Sequence, residues 1–187
     1  MPAIAEKAKL RYHGMKVTRE IYLDLEDDGY KYDMINGVLY MSPGAFFLHN
    51  RTIFKISKYL GIWMDANFEF EVVSEIDVLL PDGGDVLRPD ISIILKENYN
   101  IIQGHIHGVP DIVVEVLSDK TKKRDLGEKA DRYLKNGVTE YWIIDPDEKK
   151  ASIWINKNKS DWEKKTGETI GGSVLKGFAI RAHEIFS

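Results

Sequence analysis

Between His49 and Met64 the apolar residues Ile53, Ile56, Leu60 and Trp63 recur with the 3.6-residue period of one helical face, which predicts the first long helix. A shorter one is expected before it, where Thr18 can cap a turn carrying Ile21, Tyr22 and Leu25 on one side. Asp27, Asp28 and Gly29 end that helix. From Tyr30 to Met41 two runs rich in Tyr, Ile, Val and Leu flank Asn36-Gly37, a pair favoured in tight hairpin turns, so a hairpin is predicted there until Ser42, Pro43 and Gly44 break the pattern.

Strands are expected over 69–80 and 88–95, joined as an antiparallel hairpin through the turn-forming stretch from Pro81 to Asp85. Residues 99–108 read as a surface loop. The run from Asp111 to Leu117 is β-branched and almost continuously apolar, the composition of a buried central strand. A helix from about Lys123 to Asn136, stopped by Gly137, leads to a short apolar strand over 140–144 and a turn at Asp145, Pro146 and Asp147. Strands over 151–155 and 162–165 follow, and Phe178, Ile180 and Ile185 anchor a short closing segment. Hairpins followed by strand, helix and strand imply an α/β (α+β) fold, a mixed central sheet flanked by helices with one parallel crossover.

The 187 residues suit one domain: a loosely ordered leader over 1–16, then a single domain over 17–187. An apolar fraction of 43% and a charged fraction of 30% are those of an ordinary globular chain. The absence of cysteine excludes disulfides, thiolate zinc sites and cysteine nucleophiles, so any metal must be held by oxygen or imidazole. No stretch approaches the roughly 18 apolar residues of a membrane span, and the amino terminus lacks a signal-peptide pattern, so a cytoplasmic protein is expected. The formal charge of -4 argues against a protein that coats nucleic acid non-specifically, while leaving room for a local basic patch.

One residue in the central strand is out of place. Glu115 lies within the apolar run, and an ionised carboxylate buried there requires a cation. Strand alternation puts it on one face with Asp111, Val113 and Leu117. Asp90, after Pro89, stands at the head of the preceding strand. If those two strands pair, Asp90 and Glu115 converge on a hard cation such as Mg2+ or Mn2+. On the following helix Leu126, Ala130, Tyr133 and Leu134 make an apolar face, and Lys129 lies beside Leu126 and Tyr133, pointing at the same sheet. Two acids, a metal and a lysine suit phosphodiester hydrolysis, with the metal polarising the phosphate and acidifying a water and the lysine stabilising developing charge.

The segments carrying these residues resemble a known group. They comprise Tyr32 to Gly37, Met41 to Pro43 with His49, Arg88 to Asp90, Gly108 to Ser118, Arg124 to Lys129 with Tyr133, and Gly137 to Pro146. Together, from about residue 17 to the end, they resemble the "putative restriction endonuclease" family of the PD-(D/E)XK nuclease superfamily. The resemblance implies a restriction-endonuclease-like core with an added amino-terminal helix and hairpin, and metal-binding acids at Asp90 and Glu115. In that superfamily a lysine usually stands two residues after the second acid. Leu117 occupies that position here, which implies that Lys129 on the helix has taken the lysine's place. Asp33 matches an acidic position near the amino-terminal hairpin that assists the metal or water. Val38 stands where many relatives carry Glu.

Blander readings stand beside these. Asp90 and Glu115 also fit structural ion pairs, and Lys129 a lysine extending from its helix to solvent. Asp33 fits a solvent-facing acid of the hairpin equally well. His49 either hydrogen-bonds the site or caps its helix, and Lys122, Lys123 and Arg124 either touch phosphate or form a solvated helix start. His105 and His107 lack a third zinc ligand nearby. The expected function is that of a Mg2+- or Mn2+-dependent endonuclease acting on DNA. A symmetric homodimer is expected with it, since duplex cleavage needs one site per strand. The alternatives are a nuclease-fold binding or assembly module without activity and an RNA-directed phosphodiesterase.

Overall fold

The computed structural model describes residues 11–42, 46–67 and 69–187. Pro43 and Gly44 of the expected chain break lie outside them, as does most of the 1–16 leader. The end of that leader packs on the hairpin, where Tyr12 is buried with Tyr22 and Tyr32.

Helix α1 (Arg19–Leu23) begins where the Thr18 hydroxyl accepts the Ile21 N–H. Strands β1 (Lys31–Ile35) and β2 (Val38–Ser42) form the predicted hairpin. Both turn residues sit at positive φ, 53° for Asn36 and 71° for Gly37, the handedness that two-residue hairpin turns demand. Helix α2 (Phe47–Asn67) buries Thr52, Ile56 and Leu60 along one stripe. Strands β3 (Phe70–Ser74), β4 (Val78–Leu79), β5 (Val86–Leu87) and β6 (Ile91–Leu95) follow, then a 3-10 turn over Lys96–Ile101 and the short strands β7 (Ile102–Gln103) and β8 (His105–His107).

Strand β9 (Ile112–Val116) is fully buried and runs parallel to β10 (Glu140–Asp145). The crossover between them consists of α3 (Lys122–Arg124), a π-helical turn (Asp125–Lys129) and α4 (Ala130–Asn136), ended by Gly137 at φ 96°. Strands β11 (Lys150–Lys157) and β12 (Asp161–Gly167) extend the sheet, and β13 (Thr169–Ile170), β14 (Ile180–Arg181) and α5 (Ala182–Phe186) close the chain.

The central sheet has the order β12-β11-β10-β9-β6-β3, and its strands other than the β9–β10 pair run antiparallel to their neighbours. Alternation along β9 assigns its two faces. Ile112, Val114 and Val116 join Ile56 and Leu60 of α2 in one core, whereas Val113 and Leu117 join Ala130 and Tyr133 in another. A second sheet, β2-β1-β5-β4-β8-β7, contributes Ile35, Val78, Leu87 and Ile106 to that latter core. The architecture is thus the mixed α+β arrangement expected.

Three local expectations fail. The stretch 69–80 is two strands: the chain leaves the central sheet at Glu75, which has φ 55°, so β3 pairs with β6 while β4 joins the second sheet. Residues 99–108 are structured, because β8 runs parallel to β4 and buries Ile106; the flanking polar and glycine residues hide that pairing from a pattern search. Leu126 is 37% exposed and off the core face. The π turn widens the helix there, so the inward positions become Asp125, Lys129 and Tyr133.

Candidate active site

Strands β6 and β9 pair with Ile91 opposite Val114, so the register continued by one step sets Asp90 against Glu115. Asp90 is anchored there by Val116, whose N–H donates to Asp90 Oδ2 at 2.7 Å. Glu115 points to the Val113 side of the sheet and is 4% exposed. Its Oε1 accepts from the Tyr133 hydroxyl at 3.2 Å and lies 2.5 Å from Lys129 Nζ. The predicted trio therefore meets: two acids from neighbouring strands and an ammonium from the facing helix.

Lys129 is 2% exposed and does not reach solvent, which rules out the solvated-lysine reading. Its Nζ also lies 3.5 Å from Asp33 Oδ1, 3.9 Å from Asp125 Oδ1 and 3.5 Å from the Arg88 carbonyl oxygen. Burial opposes its charge, but Asp33, Glu115 and Asp125 outweigh that and hold it protonated, with the pKa well above the usual lysine value. Around Glu115 burial acts first, and the neighbouring carboxylates Asp125, Asp90 and Asp33 add to it; together they overcome Lys129 and push the carboxyl well up. Burial raises Asp125 in the same way. Several acids crowd one ammonium, which favours extra positive charge at the site.

Asp33 is fully buried and not solvent-facing, because β1 lies between β2 and β5 and this side chain meets Arg124 and Lys129 of the crossover. Its Oδ1 accepts the Arg88 N–H at 2.9 Å, and its Oδ2, 3.4 Å from Arg124, accepts no hydrogen bond among the described residues. Arg124 lies across the wall of the site, donating to Ser42 Oγ at 3.0 Å. Its two neighbours do not converge with it. Lys122 pairs with Asp145 at 2.7 Å, and Lys123 is exposed, so these two belong to the helix start.

His49, in the first turn of α2, brings Nε2 to 3.3 Å from Asp90 Oδ2. Burial disfavours its charged form, yet Asp90 and the Val116 backbone raise its pKa overall. Of the two readings left open for His49, contact with the site is the one realised. The acids and lysine lie in a cleft of about 190 Å³ whose walls include Tyr30, Phe46, His49 and Thr121.

Several participants escaped the sequence reading. Asp125 carried a signal, four residues before Lys129 on one helical face, but it sat inside a charge run. Tyr133 was assigned to packing alone, and its hydroxyl bond to Glu115 depends on the crossover geometry. Arg88 binds the site through its backbone, while its guanidinium grips Asp77 at 2.7 and 2.9 Å.

The family described as "Putative restriction endonuclease" (Uma2) matches residues 19–181. The chain belongs to this family. No curated protein matches the chain. A solved structure from Anabaena variabilis, titled a putative nuclease belonging to DUF820, shares the fold with a TM-score of 0.78. That match covers 91% of this chain and 97% of that one at 17% identity. Membership of a family described as "Putative restriction endonuclease" supports nuclease function. Leu117 packs into the apolar core, and the amine beside Glu115 is that of Lys129. Val38 pairs with Ile35 at the hairpin turn and does not line the cleft. Among the described residues no group of three or more His, Asp or Glu side chains forms a ready metal cluster, and no helix is long and apolar enough to cross a membrane.

Proposed function

We propose that this protein is a Mg2+- or Mn2+-dependent endonuclease that hydrolyses DNA phosphodiester bonds in the cleft above Asp90, Glu115 and Lys129. One observation carries the reading: the carboxylates of β6 and β9 and the ammonium of the crossover helix meet on one side of the sheet, at the floor of an open cleft. The donor set suits a hard cation. The hydrogen bonds and ion pairs of these two acids go to Asp90 Oδ2 and Glu115 Oε1, leaving one oxygen of each carboxylate uncommitted among the described residues. Mg2+ typically takes one or two carboxylates and fills its remaining positions with water and phosphate oxygen. Bound by Asp90 and Glu115, such an ion supplies Lewis acidity toward the phosphate and an acidified water.

The chain's own residues account for the rest. Lys129 keeps its proton under the field of three acids, so it acts as a fixed positive charge beside the reacting phosphate and holds Glu115 in place. Asp33 positions Lys129 and the backbone of Arg88. His49 restrains Asp90 from the α2 side. A homodimer and a cytoplasmic location belong to the same reading.

The test is cleavage of supercoiled plasmid, linear duplex, single-stranded DNA and RNA with Mg2+, Mn2+ or chelator. Wild type is compared with Asp90→Ala, Glu115→Ala and Lys129→Ala. Metal-dependent cutting of DNA, lost in all three variants, is expected. Full activity of Lys129→Ala would remove the lysine from the mechanism. No cutting, together with no metal binding by calorimetry, would leave a nuclease-fold binding module, and cutting confined to RNA would reassign the substrate.

A further inference from the structure

We propose that the cleft takes DNA as an unpaired strand whose bases stack on Tyr30 and Phe46, an inference that rests on the nuclease reading and narrows its substrate. The reactive groups lie at the floor, with Glu115 and Lys129 4% and 2% exposed, while the rim carries two open rings, Tyr30 at 45% and Phe46 at 63%. Both rings line the same cleft as Asp90. Lys120 Nζ stands 5.5 Å from the centroid of the Phe46 ring, so a cation that can meet a phosphate lies beside a surface that can meet a base.

A second exposed aromatic pair stands on α2, outside the lining of the cleft. Phe47 and Phe54 are exposed at 81% and 71%, seven residues and two turns apart on one face, and Lys58 follows one turn later. Aromatic platforms interleaved with basic side chains bind single strands because every base offers a π face. Paired bases stack along a duplex with a rise of about 3.4 Å and leave no gap for a ring such as Tyr30 or Phe46. An unpaired base can leave its neighbours and lie on one of these rings. On the Tyr30 side, Glu26, Asp27 and Asp28 line the neighbouring pocket and Lys31 is paired with Glu75, so the phosphates run toward Lys120.

The test uses the full chain in chelator with oligonucleotides carrying 2-aminopurine, read by fluorescence quenching and anisotropy. Tighter binding of the single strand than of the same sequence as duplex, with quenching on binding, is expected. Phe46→Ala and Tyr30→Ala should each weaken the single strand about five- to a hundredfold, leave duplex binding unchanged, and keep a wild-type circular dichroism spectrum. Phe46→Trp should restore quenching. Equal affinity for duplex and single strand, or normally folded alanine variants with undiminished binding, overturns the proposal. Metal-dependent cutting with no preference for single strands overturns this proposal alone. No cutting of any substrate, with the single-strand preference intact, overturns the nuclease reading alone.

Discussion

Replacing Lys129 with Met keeps an unbranched stem and removes the ammonium that lies 2.5 Å from Glu115, 3.5 Å from Asp33 and 3.9 Å from Asp125. Those carboxylate side chains are at most 5% exposed, so water can make up only part of the lysine's loss. Removing one partner from a buried ion pair costs about 3–5 kcal/mol. For a domain of this size that lowers Tm by about 6–20 °C. The loss depends on pH in a defined direction. Lys129 has a raised pKa, so its contribution is complete below its ordinary value of 10.5 and disappears only as pH climbs through the higher folded value. Glu115 and Asp125 are raised acids, so their burial penalises folding above their ordinary values of 4.5 and 3.8 and ceases to do so below them. Without Lys129 that penalty grows. The gap between wild type and Lys129→Met is therefore widest near neutral pH and narrows toward about pH 4, where the acids are protonated in both states. Urea denaturation at several pH values measures it, with Lys129→Met/Glu115→Gln as the paired control. The double variant should recover part of the loss, because one of the stranded carboxylates is gone. A loss under about 1 kcal/mol at neutral pH, or one equally large in acid, would refute the buried-cluster account.

Metal affinity should fall as pH drops, because Glu115 must lose its proton to ligate and its pKa is raised. Calorimetry in buffers of different ionisation heat should detect proton release with Mn2+, and an affinity unchanged as pH falls from neutral toward the ordinary glutamate value of 4.5 would contradict the assignment. Glu115→Gln should remove metal binding and cleavage while leaving a cooperatively folded protein, and a variant that still cuts at wild-type rate would exclude Glu115 as a ligand. Glu140, fully buried, accepts hydrogen bonds from Ser173 N–H at 2.5 Å, Ser173 Oγ at 2.8 Å, Val174 N–H at 3.0 Å and Trp142 Nε1 at 2.9 Å. Glu140→Gln turns an N–H toward one of those donors and should cost about 1–3 kcal/mol, with an unaltered urea midpoint as the contrary result. Gly172→Ala drives a methyl into the same carboxylate and should cost about 1–3 kcal/mol, measured the same way.

The order of residues alone determined the features that arise within one element. The apolar period of α2, the hairpin turn at Asn36-Gly37 and the apolar run around Glu115 are local, and so was the inference that a carboxylate in such a run must meet a cation. Glu115 was legible for that reason, Asp90 from its place at the head of an apolar strand, and Lys129 from its helical spacing to Tyr133, although Leu126, its other expected neighbour, turned outward. What depended on distant chain segments was hidden. Asp33 belongs to a half-polar hairpin, and only the packing of that hairpin against β5 and the crossover buries it beside Lys129. Asp125 points inward and Leu126 outward because a π turn displaces the helical face, a shift that a fixed 3.6-residue period does not contain. The strand from 69 to 80 divides between two sheets at Glu75 because each half finds different partners, and a pairing partner is a property of the folded chain. Tertiary structure thus decided how many carboxylates surround the one ammonium, because charge accumulates at a point in space from elements whose separation along the chain carries no record of it.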